Sequence, residues 1–112
     1  MAYKIAYYER HNGAQPVAEW LDSLSIDHQA VIMDKIRTLE ENGLVLLGTT
    51  MMERIKGDDK DFYELRGGQC RVALYHDRSA NAFVLLHGFL KKKGNERREI
   101  GRARGLLHEY LS

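Results

Sequence analysis

The chain is short of cysteine, of proline and of long apolar runs. Cys70 is the one cysteine in 112 residues, so no internal disulfide can form and the fold must hold by packing alone. Pro16 is the one proline, and no linker, internal repeat or low-complexity tract interrupts the sequence, so a single domain over residues 1–112 is expected. No apolar run approaches the ~20 residues that span a bilayer. The N-terminal MAYKIAYYER lacks the apolar core of a signal peptide. Together these lacks point to the cytoplasm and away from a membrane. His11, His28, His76 and His108 have no cysteine or carboxylate at metal-ligand spacing, and no metal or other cofactor is expected. There is also no P-loop, G-x-G-x-x-G or nucleophile elbow, which removes the commonest nucleotide and acyl-transfer chemistries.

Net charge is +1, but it is unevenly spread. Residues 1–52 hold four Lys/Arg against seven Asp/Glu, and residues 72–112 hold eight against four. Most of the excess lies in Lys91-Lys92-Lys93 and in Arg97, Arg98, Arg102 and Arg104. Local clustering of this kind, more than the total, sets the field that an anionic partner meets.

The richest stretch is Phe62 to Lys93. Apolar-alternating runs flank Gly67-Gly68, a strong hairpin signal, because primed turns need positive φ at little steric cost. Pairing Arg66 with Gln69 and Glu64 with Arg71 puts Tyr63, Leu65, Cys70, Val72 and Leu74 on one face. Glu64, Arg66, Gln69 and Arg71 then share the other. On the apolar face the Cys70 thiol is an inert core group. The opposite face, lined by arginine and a carboxylate, suits a phosphate-bearing partner.

Around this hairpin, Tyr3–Tyr8 reads as a first strand. Pro16 opens a helix carrying Val17, Trp20, Leu21 and Leu24. Ser25 caps a second helix, with Val31, Ile32, Ile36 and Leu39 as its stripe and Asn42-Gly43 as its stop. A short strand near residues 53–56 follows, then the hairpin at about 61–66 and 69–77, and a strand at about 82–91 that is apolar on both faces and therefore interior. A last helix carries Ile100, Ala103, Leu106, Leu107, Tyr110 and Leu111. The order β-α-α-β-β-β-β-α predicts an α+β domain: a mainly antiparallel twisted sheet, two N-terminal helices and a C-terminal helix, with the helices on one sheet face.

Five segments recur in a fixed order: Pro16-x-x-x-Trp20-Leu21-Asp22-Ser23-Leu24, Phe62-Tyr63-Glu64-Leu65-Arg66, Cys70-Arg71-Val72-x-x-Tyr75, Leu85-Leu86-His87-Gly88-Phe89-x-Lys91-Lys92 and Glu99-Ile100-x-x-Ala103. Singly each is weak. Together they span most of the chain, and they resemble the toxins of the RelE/ParE superfamily, in particular the phage-type HigB-like branch of type II toxin–antitoxin systems. Many relatives follow the lysines with a threonine and then a proline, whereas this chain reads Lys93-Gly94-Asn95-Glu96-Arg97.

The resemblance implies a RelE-like fold and a toxin that cuts mRNA on the translating ribosome without metal. It also implies a cognate antitoxin, of the helix-turn-helix HigA-like kind, through which alone operator DNA is bound. Metal-free cleavage makes the ribose 2′-hydroxyl the nucleophile. It needs a base, cations for the phosphorane and an acid for the leaving oxygen. Arg66 and Arg71 are the expected phosphate clamp, and the alternative for Arg71 is a cross-strand ion pair with Glu64. Lys91 and Lys92 point to opposite sides if the strand persists, so one of them at most joins the clamp. Base and acid stay open between His87 and Glu64. Lys56, Lys60, Lys93 and Arg97 are candidates for tracking the RNA backbone. Tyr75 either stacks on a base or closes the sheet edge. Two other readings compete: a ParE-like toxin that inhibits DNA gyrase without touching RNA, and a catalytically silent partner that sequesters a regulator.

Overall fold

The computed structural model describes residues 2–112. Its elements run β1 (Lys4–Tyr7), α1 (Pro16–Ser23), α2 (Ile26–Asn42), a 3-10 turn (Gly43–Leu46), β2 (Met52–Arg54), β3 (Phe62–Gly67), β4 (Cys70–Asp77), β5 (Ala82–Leu90) and α3 (Glu96–Leu111). The predicted α+β class is the one observed. Local chemistry sets the boundaries of α2. The Ser25 hydroxyl accepts the His28 amide at 3.2 Å, and Gly43, at φ 65°, ends the helix. A side chain at Gly43 would also strike the Tyr3 ring, 2.5 Å from an added Cβ. Tyr3 in turn donates its amide to the Glu40 carbonyl at 2.7 Å, fastening the first strand to the end of that helix.

The five strands lie in the order β1-β5-β4-β3-β2. β1 runs parallel to β5, and every other neighbour is antiparallel. β5 is interior, as its apolar character requires. The hairpin register differs from the sequence expectation. Arg66 pairs with Arg71 and Glu64 with Ala73, and the turn is Gly68-Gln69. Gly68 alone supplies positive φ, 56°, so a glycine followed by an ordinary residue suffices and Gly67 stays in the strand. The slip is one residue on each strand, so the alternation is unaffected: Leu65 and Val72 still share a face, and Arg66 and Arg71 share the other.

A second correction concerns the layers. Helices cover both faces of the sheet. Val17, Leu21, Ile32, Ile36 and Leu39 of α1 and α2 pack with Leu65, Cys70, Val72, Leu74 and Leu85 on one face. On the other, Ala103 and Leu107 of α3 pack with Phe62, Ala73, Val84 and Leu86. Leu107 is fully buried, and burying a leucine stabilises by about 1.5–3 kcal/mol. A strand apolar on both faces demands cover on both, which is why α3 cannot share the side of α1 and α2. The side expected to stand open is therefore roofed over much of its length.

Polar ties fasten α3 to that roof position. Glu109 accepts from Tyr8 Oη at 2.6 Å and Arg10 Nε at 3.0 Å, Asp59 accepts from Arg104 Nε at 2.7 Å, and Tyr110 donates to Asp77. The Arg10 ion pair and the Tyr8 hydrogen bond hold the Glu109 carboxyl down at about 2, and the Tyr110 and Ser79 hydroxyls hold Asp77 at about 2. The Asp77 carboxylate pushes the Tyr110 phenol up to about 12.

A β-bulge breaks the β4–β5 ladder. Leu74 faces Leu85 and Ala73 faces His87, so Leu86 is the extra residue. The alternation reverses there. His87 joins the α3 side, and Gly88 turns to the α1 side beneath Trp20.

Candidate functional site

The α3 side of the sheet is open toward β2 and the end of β3. There a cavity of about 530 Å³ lies between these strands and the first half of α3. Arg54, Lys56, Arg66, Arg97 and Arg104 line it, with Glu53, Glu64 and Glu96 among them. The spacing explains the wall contributed by α3: Arg97, Ile100 and Arg104 recur at three and four residues and so share a helix face. The sequence treated the helix arginines as one basic group, whereas the 3.6-residue period sorts them onto two faces.

Glu64 is the centre of the charge arrangement. It is 3% exposed, and its Oε1 accepts from Arg66 Nε at 3.0 Å. Arg66 also bonds Glu53 from β2. Two carboxylates thus hold the guanidinium from behind, while its side chain stays 32% exposed toward the cavity. A planar guanidinium fixed in this way keeps its remaining N–H groups aimed and always charged, which suits a phosphate or another oxyanion. Glu64 Oε2 has no hydrogen-bond partner among the described residues. A buried carboxylate oxygen left so costs at least about 1–3 kcal/mol.

Arg71 lies beside Arg66 on the same face, with its Nε 3.9 Å from Glu64 Oε1. It does not reach the cavity, however. Its Nη1 donates to the carbonyls of Gly68 at 2.6 Å and Cys70 at 2.9 Å, and the side chain is 13% exposed. In this arrangement Arg71 braces the hairpin turn and adds positive charge behind Glu64. The Glu64–Arg71 ion pair weighed as an alternative is therefore present at the outer limit of such contacts.

The other expected site residues divide. Lys56 and Arg97 line the cavity with Arg66 and Glu64. Lys91 lies just past the end of β5 and pairs with Glu96 at 3.3 Å on the rim. Lys60 is an exposed turn residue that lines no cavity, and Tyr75 packs against Tyr110 with ring centres 5.9 Å apart, closing the sheet under α3. His87, Lys92 and Lys93 line a separate cleft on the far side of the α3 N-terminal half. There His87 Nε2 lies 3.1 Å from Glu99 Oε2. The helix ridge thus separates His87 from Arg66, although the two share one side of the sheet.

Sequence reasoning missed Glu53 and Arg54, which enter through the β2–β3 pairing of Glu53 with Glu64. It also missed Glu99, the partner of His87. Among the described residues no group of three His, Cys, Asp or Glu is placed to hold a metal ion. Nor, among the described residues, is any helix long and apolar enough to cross a membrane.

Comparison with known proteins adds the following. Residues 19–107 match the family described as Phage derived protein Gp49-like (DUF891). No curated protein sequence matches the chain. Among solved structures, a chain of the RelE–RelB complex from Pyrococcus horikoshii OT3 is similar at TM-score 0.63 and 19% identity, over 84% of this chain and 100% of that one. A chain of the toxin–antitoxin complex RelBE2 from Mycobacterium tuberculosis is similar at TM-score 0.60 and 13% identity, over 81% of this chain and 100% of that one. At such identities the likeness is one of fold, and the fold is RelE-like.

Proposed function

The chain belongs to the phage-derived Gp49-like family, and from that premise we propose that it is the toxin of a type II toxin–antitoxin pair, of the HigB-like branch, and that it cleaves mRNA on the ribosome without metal. Residues 1–112 act as one domain in the cytoplasm, and a cognate antitoxin, of the helix-turn-helix HigA-like kind, neutralises it. The observation that carries this reading is Arg66, held by Glu64 and Glu53 at the mouth of a cavity whose other walls are Arg54, Lys56, Arg97 and Arg104. The RelE-like fold supports it.

In this reading the scissile phosphate sits on Arg66, which stabilises the charge of the phosphorane as it develops. Lys56, Arg54 and Arg97 hold the flanking backbone, each worth salt-dependent affinity. Glu64 holds Arg66 in place. Arg71 fixes the hairpin and adds positive charge beside Glu64. An antitoxin would neutralise the site by covering the cavity mouth with acidic residues.

Arg66→Ala is the test. Loss of one donor to a developing oxyanion costs ~2.7–4 kcal/mol, so cleavage should fall by 10²–10³. Transcript 5′ ends sequenced after induction should show cuts at ribosome-occupied positions with the wild type and none with Arg66→Ala, and growth arrest should be relieved. Retained toxicity in a folded Arg66→Ala protein rejects the phosphate role. Intact transcripts with failing DNA supercoiling would replace the nuclease by a gyrase poison.

A further inference from the structure

The second cleft, about 580 Å³, has no role in the reading above. Its floor is the β5 segment from His87 to Leu90, one wall is the Trp20 indole, and the other is the α3 face that carries Arg98 and Arg102. In this sequence the bulge at Leu86 and the glycine at position 88 both shape it. The bulge turns His87 and Phe89 to the α3 side, and the missing side chain at Gly88 lets the Trp20 ring lie directly on the strand backbone. His87 and Phe89 stack at 24° with ring centres 5.9 Å apart, and Glu99 fixes the imidazole.

The charges in this cleft are unspent. Arg102 is paired with Glu99, but Lys92, Lys93 and Arg98 have no carboxylate within 4.0 Å among the described residues. Elsewhere Arg10, Arg66, Arg78 and Arg104 are paired with acids, while Arg54, Lys56 and Arg97 of the first cavity, like Lys92, Lys93 and Arg98, have no such partner among the described residues. Glu99, the one carboxylate lining the cleft, is already bonded to both His87 and Arg102. Aromatic surfaces beside unpaired cations form the combination that holds unpaired nucleotides, with stacking for the base and charge for the phosphate. The volume falls in the range of small-ligand sites.

We propose that this cleft is a second RNA subsite, taking one unpaired nucleotide of the strand with its base against the half-buried Trp20 indole and its phosphate on Lys92 and Arg98. It rests on the reading that the chain acts on RNA, and it adds where the strand is gripped away from the scissile bond. An acidic protein segment would satisfy the cations but would leave the aromatic surfaces without a matching partner, so RNA is the better fit.

Trp20 is the only tryptophan, so its emission reports this cleft alone. Titration of the whole protein with single-stranded (rU)6 at low salt should quench Trp20 saturably. In the double variant Lys92→Ala/Arg98→Ala the dissociation constant should rise more than tenfold, and the salt slope should fall by about 0.7, the counterion release of one phosphate contact on a single strand. Arg66→Ala should keep the quench amplitude at saturation. Fluorescein-labelled (rU)6 followed by anisotropy supplies the second readout. If the labelled RNA binds while Trp20 stays unquenched, the subsite is rejected and the RNA reading survives. If neither readout shows binding, the subsite is rejected too, and the cellular transcript assay then decides the RNA reading separately. Equal quenching by hexaglutamate overturns the proposal in favour of an acidic protein partner.

Discussion

Replacing Gly88 by alanine would put a methyl carbon 2.1 Å from Trp20 Cε3, 2.4 Å from Cδ2 and 2.6 Å from Cζ3. Ordinary carbon contacts are about 3.5–4.0 Å, so the ring would have to withdraw by about 1.4–1.9 Å. It has little freedom to do so. α1 is pinned on either side of Trp20 by Val17, 1% exposed, and Leu21, 6% exposed. Either the helix lifts off the sheet or the indole swings into water. We expect a cost of about 3 kcal/mol, the upper end for an overpacked site. At the entropy of unfolding expected for this chain length, that lowers Tm by roughly 12 °C. Thermal melts followed by circular dichroism measure it, and Trp20 emission should shift to the red as the ring loses its seat. Trp20→Leu in the Gly88→Ala background should recover part of the loss, with a coupling of about 1–2 kcal/mol. Gly101 on α3 is the control. A side chain there meets nothing within 4 Å, so Gly101→Ala should raise stability by about 0.5–1 kcal/mol. A Gly88→Ala protein melting within about 2 °C of wild type, under half a kcal/mol on the same scale, would refute the packing described for α1.

Other consequences are as direct. Asp77 and Glu109 are held at about 2 by their partners, below the ~4 of an unfolded carboxyl, so their contribution is complete above pH ~4 and is lost as pH falls through about 2. Acid titration of the folded protein should therefore loosen α3 over that window. Glu109→Gln should remove much of the pH dependence, and an unchanged profile in that variant would dissociate the effect from Glu109. The Cys70 thiol is fully buried and burial raises its pKa, so a thiol reagent such as Ellman's should label it only at the rate of unfolding. Rapid labelling of the native protein would contradict the core position given to it. Arg71→Ala should weaken the hairpin through the Gly68 and Cys70 carbonyls, lowering Tm by several degrees, whereas Arg66→Ala should act mainly on cleavage. Equal loss of stability in both variants would mean that Arg66 is also structural.

Much of the fold was legible because local signals agreed with one another. Pro16, Ser25 and Gly43 mark helix boundaries by mechanisms that act within a few residues. The alternation in 62–77 sorted the hairpin faces correctly even though the partners were set one residue off on each strand, because that slip preserves parity. The sidedness of α3 was less legible. Its amphipathic stripe says that it packs but not where, although the run Phe83-Val84-Leu85-Leu86, apolar on both faces, already called for cover on both. At the candidate site, the strand period put Arg66 and Glu64 on one face, and Lys56 and Arg97, candidates by charge alone, line the same cavity. His87 was separated from them by two things that single-strand periodicity does not carry, the bulge at Leu86 and the passage of α3 across the sheet. Arg71 stood on the expected face, and only the turn carbonyls within its reach made it a brace.

Leu86 gives the sheet one point of slack. Outside the bulge, removing a residue from β5 would turn the side chains that follow to the opposite side. Removing Leu86 would instead bring Leu85 and His87 into a regular ladder with Leu74 and Ala73 and leave Gly88, Phe89 and Leu90 where they are. The loss would be confined to a hole beneath α3, about 2–5 kcal/mol for a leucine truncated in a core. Loss of one residue from this strand is therefore least disruptive to its register at the bulge.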